Sequence, residues 1–281
     1  MFDFRYHALS LVAVFLALGI GILLGSTIGD NLASQANKDL SSSLRGDLLK
    51  ARQDARDASS NVSQRDRVIQ AAFPRIVGDR LRGKTIAIVA SGKLPQDLES
   101  DVRKTVGDAG GTIDSVSNVG DGTKPADLGK AVGRRFANVS TGDTAGLRAL
   151  GRRLGRSIVK GSRDTAELKS ALSSQFSGDY AGADAVVFYR GAPAKRDAAH
   201  LALEEGLVEG LRKSARSVVG IEQTSTDPSQ VPWYADRGLS SVDSVDLAGG
   251  RVALALALAG AEGSFGVKKT AQDILPPVTG A

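Results

Sequence analysis

The sequence predicts an α/β protein with three parts: an N-terminal transmembrane helix, a coiled-coil stalk and a Rossmann-like or flavodoxin-like domain with a mostly parallel sheet. Three observations predict this class. Residues 8–25 form an uncharged apolar run, residues 31–73 have a helical composition, and residues 85–221 alternate short β-branched runs with amphipathic helical segments. The expected parts are residues 1–29, residues 30–73 and residues 74–281.

The apolar run from Ala8 to Gly25 has eighteen residues, no charge and one hydroxyl group, that of Ser10. A helix of this length covers roughly 27 Å, close to the roughly 30 Å hydrocarbon core of a bilayer. A cleaved signal peptide and a buried core helix are the alternatives. We favour an uncleaved anchor because the run is long for a signal peptide and unusually apolar for a core helix.

Charges at the two ends of this run predict its orientation. Arg5 precedes the run, and Asp30 is the first charged residue after it. Positive charge usually stays on the cytoplasmic side. We therefore expect a single-pass protein of the plasma membrane with a cytoplasmic N-terminus and an extracytoplasmic C-terminal domain.

Small residues recur at every fourth position of the anchor. They are Ala13, Ala17, Gly21, Gly25 and Gly29. Such a stripe lets a second helix approach closely. Glycine and alanine are also common in membrane helices for other reasons, so both interpretations stay open.

The segment from Asn31 to Phe73 contains no proline and predicts one long polar helix. Apolar residues follow a seven-residue spacing, which is typical of a coiled coil. One row contains Leu48, Ala55, Val62 and Ile69, and the other contains Leu44, Ala51, Ala58 and Ala72, with Arg65 as an interruption. A parallel partner would also allow Asp47 to pair with Arg52. The alternative is a helix that lies on its own domain. We favour a parallel homodimer, with Ala17, Gly21, Gly25, Leu44, Leu48 and Val62 at its interface.

Pro74 is expected to end this helix, since proline lacks the N–H group that an interior turn needs. Thr85–Ala90 then predicts a strand, Pro95 opens a helix, and Thr112–Val119 predicts a second strand. Strand, helix and strand in this order predict a parallel pair with a right-handed crossover.

The remaining segments continue the alternation of helices and strands. Predicted helices are Pro125–Phe136, Leu147–Val159, Asp164–Phe176 and Arg196–Ser214, and predicted strands are Ala185–Tyr189 and Ser217–Ile221. Towards the end of the chain we expect a proline-flanked loop at Pro228–Tyr234, a buried helix at Val252–Ala259 and a loose terminus at Gln272–Ala281.

Composition restricts the chemistry that the chain can perform. The 281 residues include no cysteine, two histidines and a single methionine, the initiator. Disulfides and thiolate metal sites are therefore excluded. The net charge of +5 is a modest bias that suits an anionic envelope surface better than a nucleic acid.

Motifs for catalysis and cofactor binding are absent from the sequence. Ser91–Pro95, after the first predicted strand, matches neither G-x-G-x-x-G nor a P-loop. His200 is expected on a helix surface. Asp243 and Asp246 could bind a cation, but a helix cap is the favoured interpretation. We expect no enzyme, no cofactor and no bound metal, although a pocket at the carboxyl edge of the sheet would favour an enzyme that uses the Ser91-Gly92 turn.

A row of cations marks the helix predicted at Leu147–Val159. Its members, spaced four residues apart, are Arg148, Arg152, Arg156 and Lys160. Like charges at this spacing repel one another. Two interpretations remain: a solvated face whose acids come from an adjacent helix, or a docking surface for an anionic lipid, an acidic wall polymer or an acidic protein.

Both ends of the chain carry motifs of one known family. Phe4-Arg5-Tyr6-His7 leads into SLVAVFLALGIGILLGS, and residues 240–246, SSVDSVD, precede GGRVALALALAG. These motifs resemble those of the actinobacterial MctB family, often labelled mycobacterial copper transport protein. The resemblance implies copper export or homeostasis in the cell envelope and, for some members, an outer-membrane channel. From the residues themselves we expect a dimeric scaffold or regulator of envelope machinery, with copper transport as the alternative.

Overall fold

The computed structural model describes residues 4–119, 125–161, 176–191 and 197–277. The helices are α1 (Phe4–Val77), α2 (Gln96–Asp108), α3 (Pro125–Val132), α4 (Thr144–Lys160), α5 (Ala198–Arg212), α6 (Val231–Ala235) and α7 (Ala248–Leu258). The strands are β1 (Thr85–Ser91), β2 (Thr112–Asn118), β3 (Phe176–Gly178), β4 (Ala185–Arg190), β5 (Ser217–Ile221), β6 (Ser240–Val242) and β7 (Ser264–Phe265).

Contacts divide the chain into two compact units, Met1–Gln64 and Arg65–Ala281. The first unit contains most of α1, and the second contains the end of α1 and the whole sheet. The prediction that Pro74 ends the helix is wrong, because α1 continues to Val77. Pro74 lies in the last turn, where its missing N–H group removes a single bond. Burial of Phe73 and Val77 in the core of the second unit holds this turn in place.

The second unit is built on a seven-stranded sheet with the order β3-β2-β1-β4-β5-β6-β7. Neighbouring strands are parallel except for β2 and β3, which are antiparallel. The predicted mostly parallel sheet is confirmed. From β1 the chain first adds β2 on one side and later adds β4 on the other, so the winding direction changes between β1 and β4.

Helices cover both faces of the sheet, as a parallel sheet requires. Ile86 and Ile88 of β1 face the end of α1, helix α2 and helix α7. Ala87 and Val89 of the same strand face α3, α4 and α5. The central strands are therefore buried on both sides, which explains why they appear in the sequence as continuous apolar runs.

Two predicted helices differ from the observed ones. Pro125–Phe136 is divided into α3 and a 3-10 turn at Arg134–Phe136. The helix predicted at Asp164–Phe176 lies mainly outside the described residues, and its last residue begins β3 instead. Gly178 of β3 passes so close to the backbone of Asp114 in β2 that any side chain there would clash.

The C-terminal region is more ordered than predicted. The expected loop at Pro228–Tyr234 contains α6, whose Val231 and Tyr234 are buried. Helix α7 confirms the buried helix predicted near Val252. The prediction of a loose terminus is wrong for its first residues. The Gln272 side chain accepts a hydrogen bond from the Ser264 N–H group at 3.2 Å.

Candidate functional site

The carboxyl edge of the sheet is the usual place for a ligand in an α/β fold, at the point where the winding direction changes. Here that point lies between the ends of β1 and β4. The N–H group of Gly191 donates to the carbonyl oxygen of Ser91 at 2.9 Å. The predicted Ser91-Gly92 turn therefore lies directly against the chain that leaves β4.

Arg190, the last residue of β4, is the centre of a buried ionic cluster at this edge. Its Nε atom lies 3.1 and 3.2 Å from the two carboxylate oxygens of Glu204 on α5. One terminal nitrogen donates to Oε1 of Gln230. The guanidinium carbon also lies 4.4 Å from the ring centroid of Trp233, a cation–π contact. The positive charge is thus neutralised and fixed in place.

Tyr234 of α6 links the two central strands beneath this cluster. Its hydroxyl group accepts from the N–H of Arg190 at 3.1 Å and donates to the carbonyl oxygen of Ile221 at 3.0 Å. Burial raises the pKa of the Tyr234 phenol, so the hydroxyl group stays protonated and remains a donor. The side chain acts as a hydrogen-bonded spacer between β4 and β5.

A second buried cluster surrounds Glu222, which follows β5 and is fully buried. Its carboxylate accepts from the Nζ of Lys268 and the hydroxyl group of Ser229, both at 2.8 Å, and from the N–H of Gln230. Lys268 Nζ also donates to the carbonyl oxygen of Thr226 at 2.7 Å. Gln230 belongs to both clusters and joins them into one network.

The two aspartates singled out in the sequence do not cap a helix, so that prediction is wrong. Asp243 is buried and accepts from the N–H groups of Val267 at 2.8 Å and Lys268 at 3.1 Å. Asp246 accepts from the N–H and the hydroxyl group of Thr224 at 2.7 and 3.1 Å. Each carboxylate binds the backbone of a loop at the carboxyl edge of the sheet. The bound loop is distant in sequence from the aspartate in both cases.

Arg190, Glu204 and Glu222 were not among the residues predicted from the sequence. Arg190 and Glu222 each come at the end of a buried apolar run. A charged residue directly after such a run indicates the carboxyl edge of a parallel sheet. Burial of an ion pair is favourable only when its geometry and further hydrogen bonds are good. The network therefore holds this edge in one arrangement, and its charged groups already have partners.

His200 lies on the exposed side of α5, as the sequence predicts for a surface residue. Its Nδ1 atom is 2.7 Å from Oδ1 of Asp197, and its N–H donates to the same oxygen at 2.9 Å. These two bonds lower the pKa of Asp197, which caps α5. Within the described parts of the chain, histidines and carboxylates form no group of three or more that could hold a metal ion.

The row of cations lies on α4, which packs against α5. Arg148 forms an ion pair with Glu205, and Nη1 of Arg152 lies 3.3 Å from Oε2 of Glu209. Acids of the adjacent helix therefore neutralise this half of the row. Arg156 and Lys160 are exposed, and neither has a carboxylate partner among the residues that the structure describes.

Four glycines explain why the two helices approach so closely. Gly151 and Gly155 of α4 face Gly206 and Gly210 of α5. A Cβ atom at any of the four would overlap a backbone carbonyl oxygen of the other helix. The sequence contains the signal as two G-x-x-x-G spacings, one in each helix, but only the contact between the helices shows that they belong together.

The predicted dimer residues lie in the first compact unit. Its segment His7–Gly25 has 19 residues and is long and apolar enough to cross a membrane. Apart from neighbouring residues of the same helix, no atom of the described residues lies within 4 Å of the position that a Cβ would take at Gly21 or Gly25. Ala17, Leu44, Leu48 and Val62 are likewise exposed. In the second unit, Ile69 of the predicted seam packs against the core of the α/β unit.

A family model and individual relatives indicate the same family for this chain. The family model described as copper transport outer membrane protein, MctB, matches residues 1–276. The copper transporter MctB of Mycobacterium tuberculosis (strain H37Rv) is 36% identical over 118 residues, as is its counterpart in Mycobacterium bovis. The aligned part covers 40% of this chain and 36% of each relative, so it spans about a third of their length. The match of the family model extends over nearly the whole chain, which therefore belongs to the MctB family.

Proposed function

We propose that this chain serves copper homeostasis as a membrane-anchored accessory protein, a dimeric scaffold or regulator, and does not itself carry the ion. The family description and the names of the relatives support the link to copper. The donor set of the chain supports the accessory role. No catalytic step is part of this proposal.

The donor set is the observation that carries the proposal. Copper(I) prefers thiolate, thioether and imidazole ligands. The chain has no cysteine, one methionine and two histidines. His7 and His200 belong to different compact units, and His200 is already bound to Asp197. A path for copper would need more soft ligands than these.

The architecture suits a protein that presents a surface at a membrane. In the proposed arrangement, residues 1–29 anchor the chain in the plasma membrane with the N-terminus in the cytoplasm. Residues 30–73 form a parallel coiled coil with a second copy, and the Rossmann-like domain lies outside the cell. The exposed apolar side chains of Leu44, Leu48 and Val62 support this pairing. Partners are an envelope protein or an anionic component of the wall or membrane, and not a nucleic acid.

Complementation of a deletion strain tests the proposal. The strain should lose copper tolerance and change its cell copper content, and the parent chain should restore both. The His7→Gln/His200→Gln double variant removes every imidazole and should restore both equally well. Immunoblots of membrane fractions control for insertion and abundance of each variant.

Two results would contradict the proposal in different ways. If the double variant reaches parental abundance but fails to restore tolerance, this chain ligates copper directly. If deletion changes neither tolerance nor copper content, the link to copper is wrong. A scaffold role without copper would then remain, and crosslinking followed by a pull-down from membranes would identify the partner.

A further inference from the structure

The α/β unit also contains a region that is lined by cations. It is a cavity of about 530 Å³ between the 3-10 turn at Arg134–Phe136, helix α4 and the C-terminal end of α5. Five cations line it: Arg135, Arg152, Arg153, Arg156 and Lys213. No carboxylate is among the described lining residues. We call this cavity the basic pocket.

Local contacts fix two of these cations in place. The Arg135 guanidinium carbon lies 4.6 Å from the ring centroid of Phe136, which is buried. Nε of Arg153 donates to the carbonyl oxygen of Val132 at 3.3 Å. Neither contact neutralises charge. The guanidinium groups are therefore positioned while their charge remains available.

Only part of the charge is balanced within the chain. Glu209 lies beside the basic pocket, where Lys213 Nζ is 2.8 Å from one carboxylate oxygen and Arg152 Nη1 is 3.3 Å from the other. These two bonds hold the pKa of Glu209 below its ordinary value, and the bond from Lys213 has the larger effect. This carboxylate stays ionised at neutral pH but offsets a single positive charge. Arg135, Arg153 and Arg156 have no carboxylate partner within the described ranges.

The type of cation indicates the type of anion. Four of the five are arginines, whose planar guanidinium groups bind the oxygens of phosphate in pairs. The small residues Ala149 and Gly210 leave room between them. Gly210 cannot carry a side chain, because its α-carbon faces the backbone of Arg152. Close contact of the two helices therefore requires glycine at this position of the pocket lining.

We propose that the basic pocket binds a phosphate group, carried by a soluble phosphate ester or by a lipid headgroup. A phosphate would bring negative charge among like charges that otherwise repel one another. The pocket includes two members of the sequence-predicted row, Arg152 and Arg156, together with three cations that the row did not contain. The proposal does not depend on a role in copper homeostasis.

The test uses the full chain in two parallel experiments. In the first, the protein in a non-ionic detergent is titrated calorimetrically with inorganic pyrophosphate at low and raised salt. In the second, the protein in phosphatidylcholine nanodiscs is mixed with vesicles of phosphatidylcholine alone or with added phosphatidylglycerol, and flotation is measured. The first experiment detects a soluble phosphate, and the second detects a headgroup.

The variants separate the basic pocket from charge in general. Arg135→Gln/Arg156→Gln removes two pocket cations that have no carboxylate partner. Arg148→Gln/Lys160→Gln is the matched control, since it also removes two positive charges, both of them outside the pocket, and leaves Glu205 paired with Arg237. We expect the double variant to bind at least about tenfold more weakly, and the control to bind as the parent does.

Each outcome decides the question. If the parent binds pyrophosphate and the double variant binds it more weakly, the ligand is a soluble phosphate. If only flotation with phosphatidylglycerol vesicles is reduced in the double variant, the ligand is a lipid headgroup. Absence of binding to both probes would overturn the proposal. So would an equal loss in the Arg148→Gln/Lys160→Gln control, which would show unspecific attraction. If the double variant melts below the parent, the single variants Arg156→Gln and Arg148→Gln replace the two double variants, because the exposed Arg156 side chain has no hydrogen bond or ion pair with any described residue.

Discussion

Two glycine stripes with the same spacing have opposite surroundings in this molecule. Gly151 and Gly155 of α4 lie against Gly206 and Gly210 of α5, and no Cβ would fit at any of them. Gly21, in the apolar part of α1, has open space around it, as does Gly25 four residues later. Small residues at this spacing indicate a contact between helices. In α4 and α5 both helices of the contact belong to the same chain, whereas the stripe of α1 has no such partner helix among the described residues.

The difference shows what the G-x-x-x-G spacing alone does not say. In α4 and α5 the glycines alternate with charged residues and buried leucines, so the contact forms inside the α/β unit and carries ion pairs on its rim. In α1 the neighbours are apolar on all sides. A membrane is the environment in which such a stripe can be covered, by lipid or by a second copy.

The largest expected effect comes from the α4–α5 contact. Gly206→Ala should lower the free energy of unfolding of the α/β unit by about 1–3 kcal/mol, because the new methyl group overlaps the carbonyl oxygen of Arg148. Gly107→Ala is the control, since this exposed helical glycine has free space and should gain up to about 1 kcal/mol. Urea unfolding of the full chain in detergent, followed by the fluorescence of the single tryptophan, Trp233, measures both.

Equal destabilisation by the two substitutions would mean that close packing of α4 on α5 is not what requires glycine. Equal stabilisation would mean that the helices separate at little cost. Either result would remove the contrast between the two stripes.

A smaller effect is expected from the ion pairs that the close contact creates. Glu209→Gln should lower stability by at most about 1 kcal/mol, because the carboxylate is partly exposed and screened. Lys213 and Arg152 lower the pKa of Glu209. Its contribution is therefore present above the ordinary glutamate pKa and is lost as the pH falls through the lowered value.

Unfolding of parent and Glu209→Gln across this pH range checks the sign. The two proteins should differ at neutral pH and converge in acid. A difference that grows in acid would contradict the assigned ion pairs.

Much of the fold could be predicted because its determinants are local. Thr85–Ala90 and Ser217–Ile221 are continuous apolar runs, as strands buried on both faces must be. By contrast, β6 and β7 have three and two residues, too few to show any period. Helix α6 follows a loop that contains Pro228 and depends on burial of Tyr234 in the core.

The sites were harder to predict, because they depend on pairs that are distant in sequence. Asp243 binds the backbone near Lys268, which no local spacing reveals. The cations of α4 were identified from their four-residue spacing. Their partners were not, since Glu205 and Glu209 reach them only through the contact of two helices. Arg135 joins the basic pocket from a separate turn, so the row in the sequence contains only two of the five pocket cations.

Cysteine crosslinking tests the central claim that the open stripe of α1 is covered by a second copy. The chain has no cysteine, so Leu48→Cys and Gln53→Cys each introduce a single thiol, at the predicted seam and on the opposite face. In native membranes, Leu48→Cys should crosslink far more efficiently, and adding Gly21→Leu and Gly25→Leu should reduce its yield to that of Gln53→Cys. Equal yields from the two cysteines, or a yield at Leu48 that the added leucines leave unchanged, would contradict the claim.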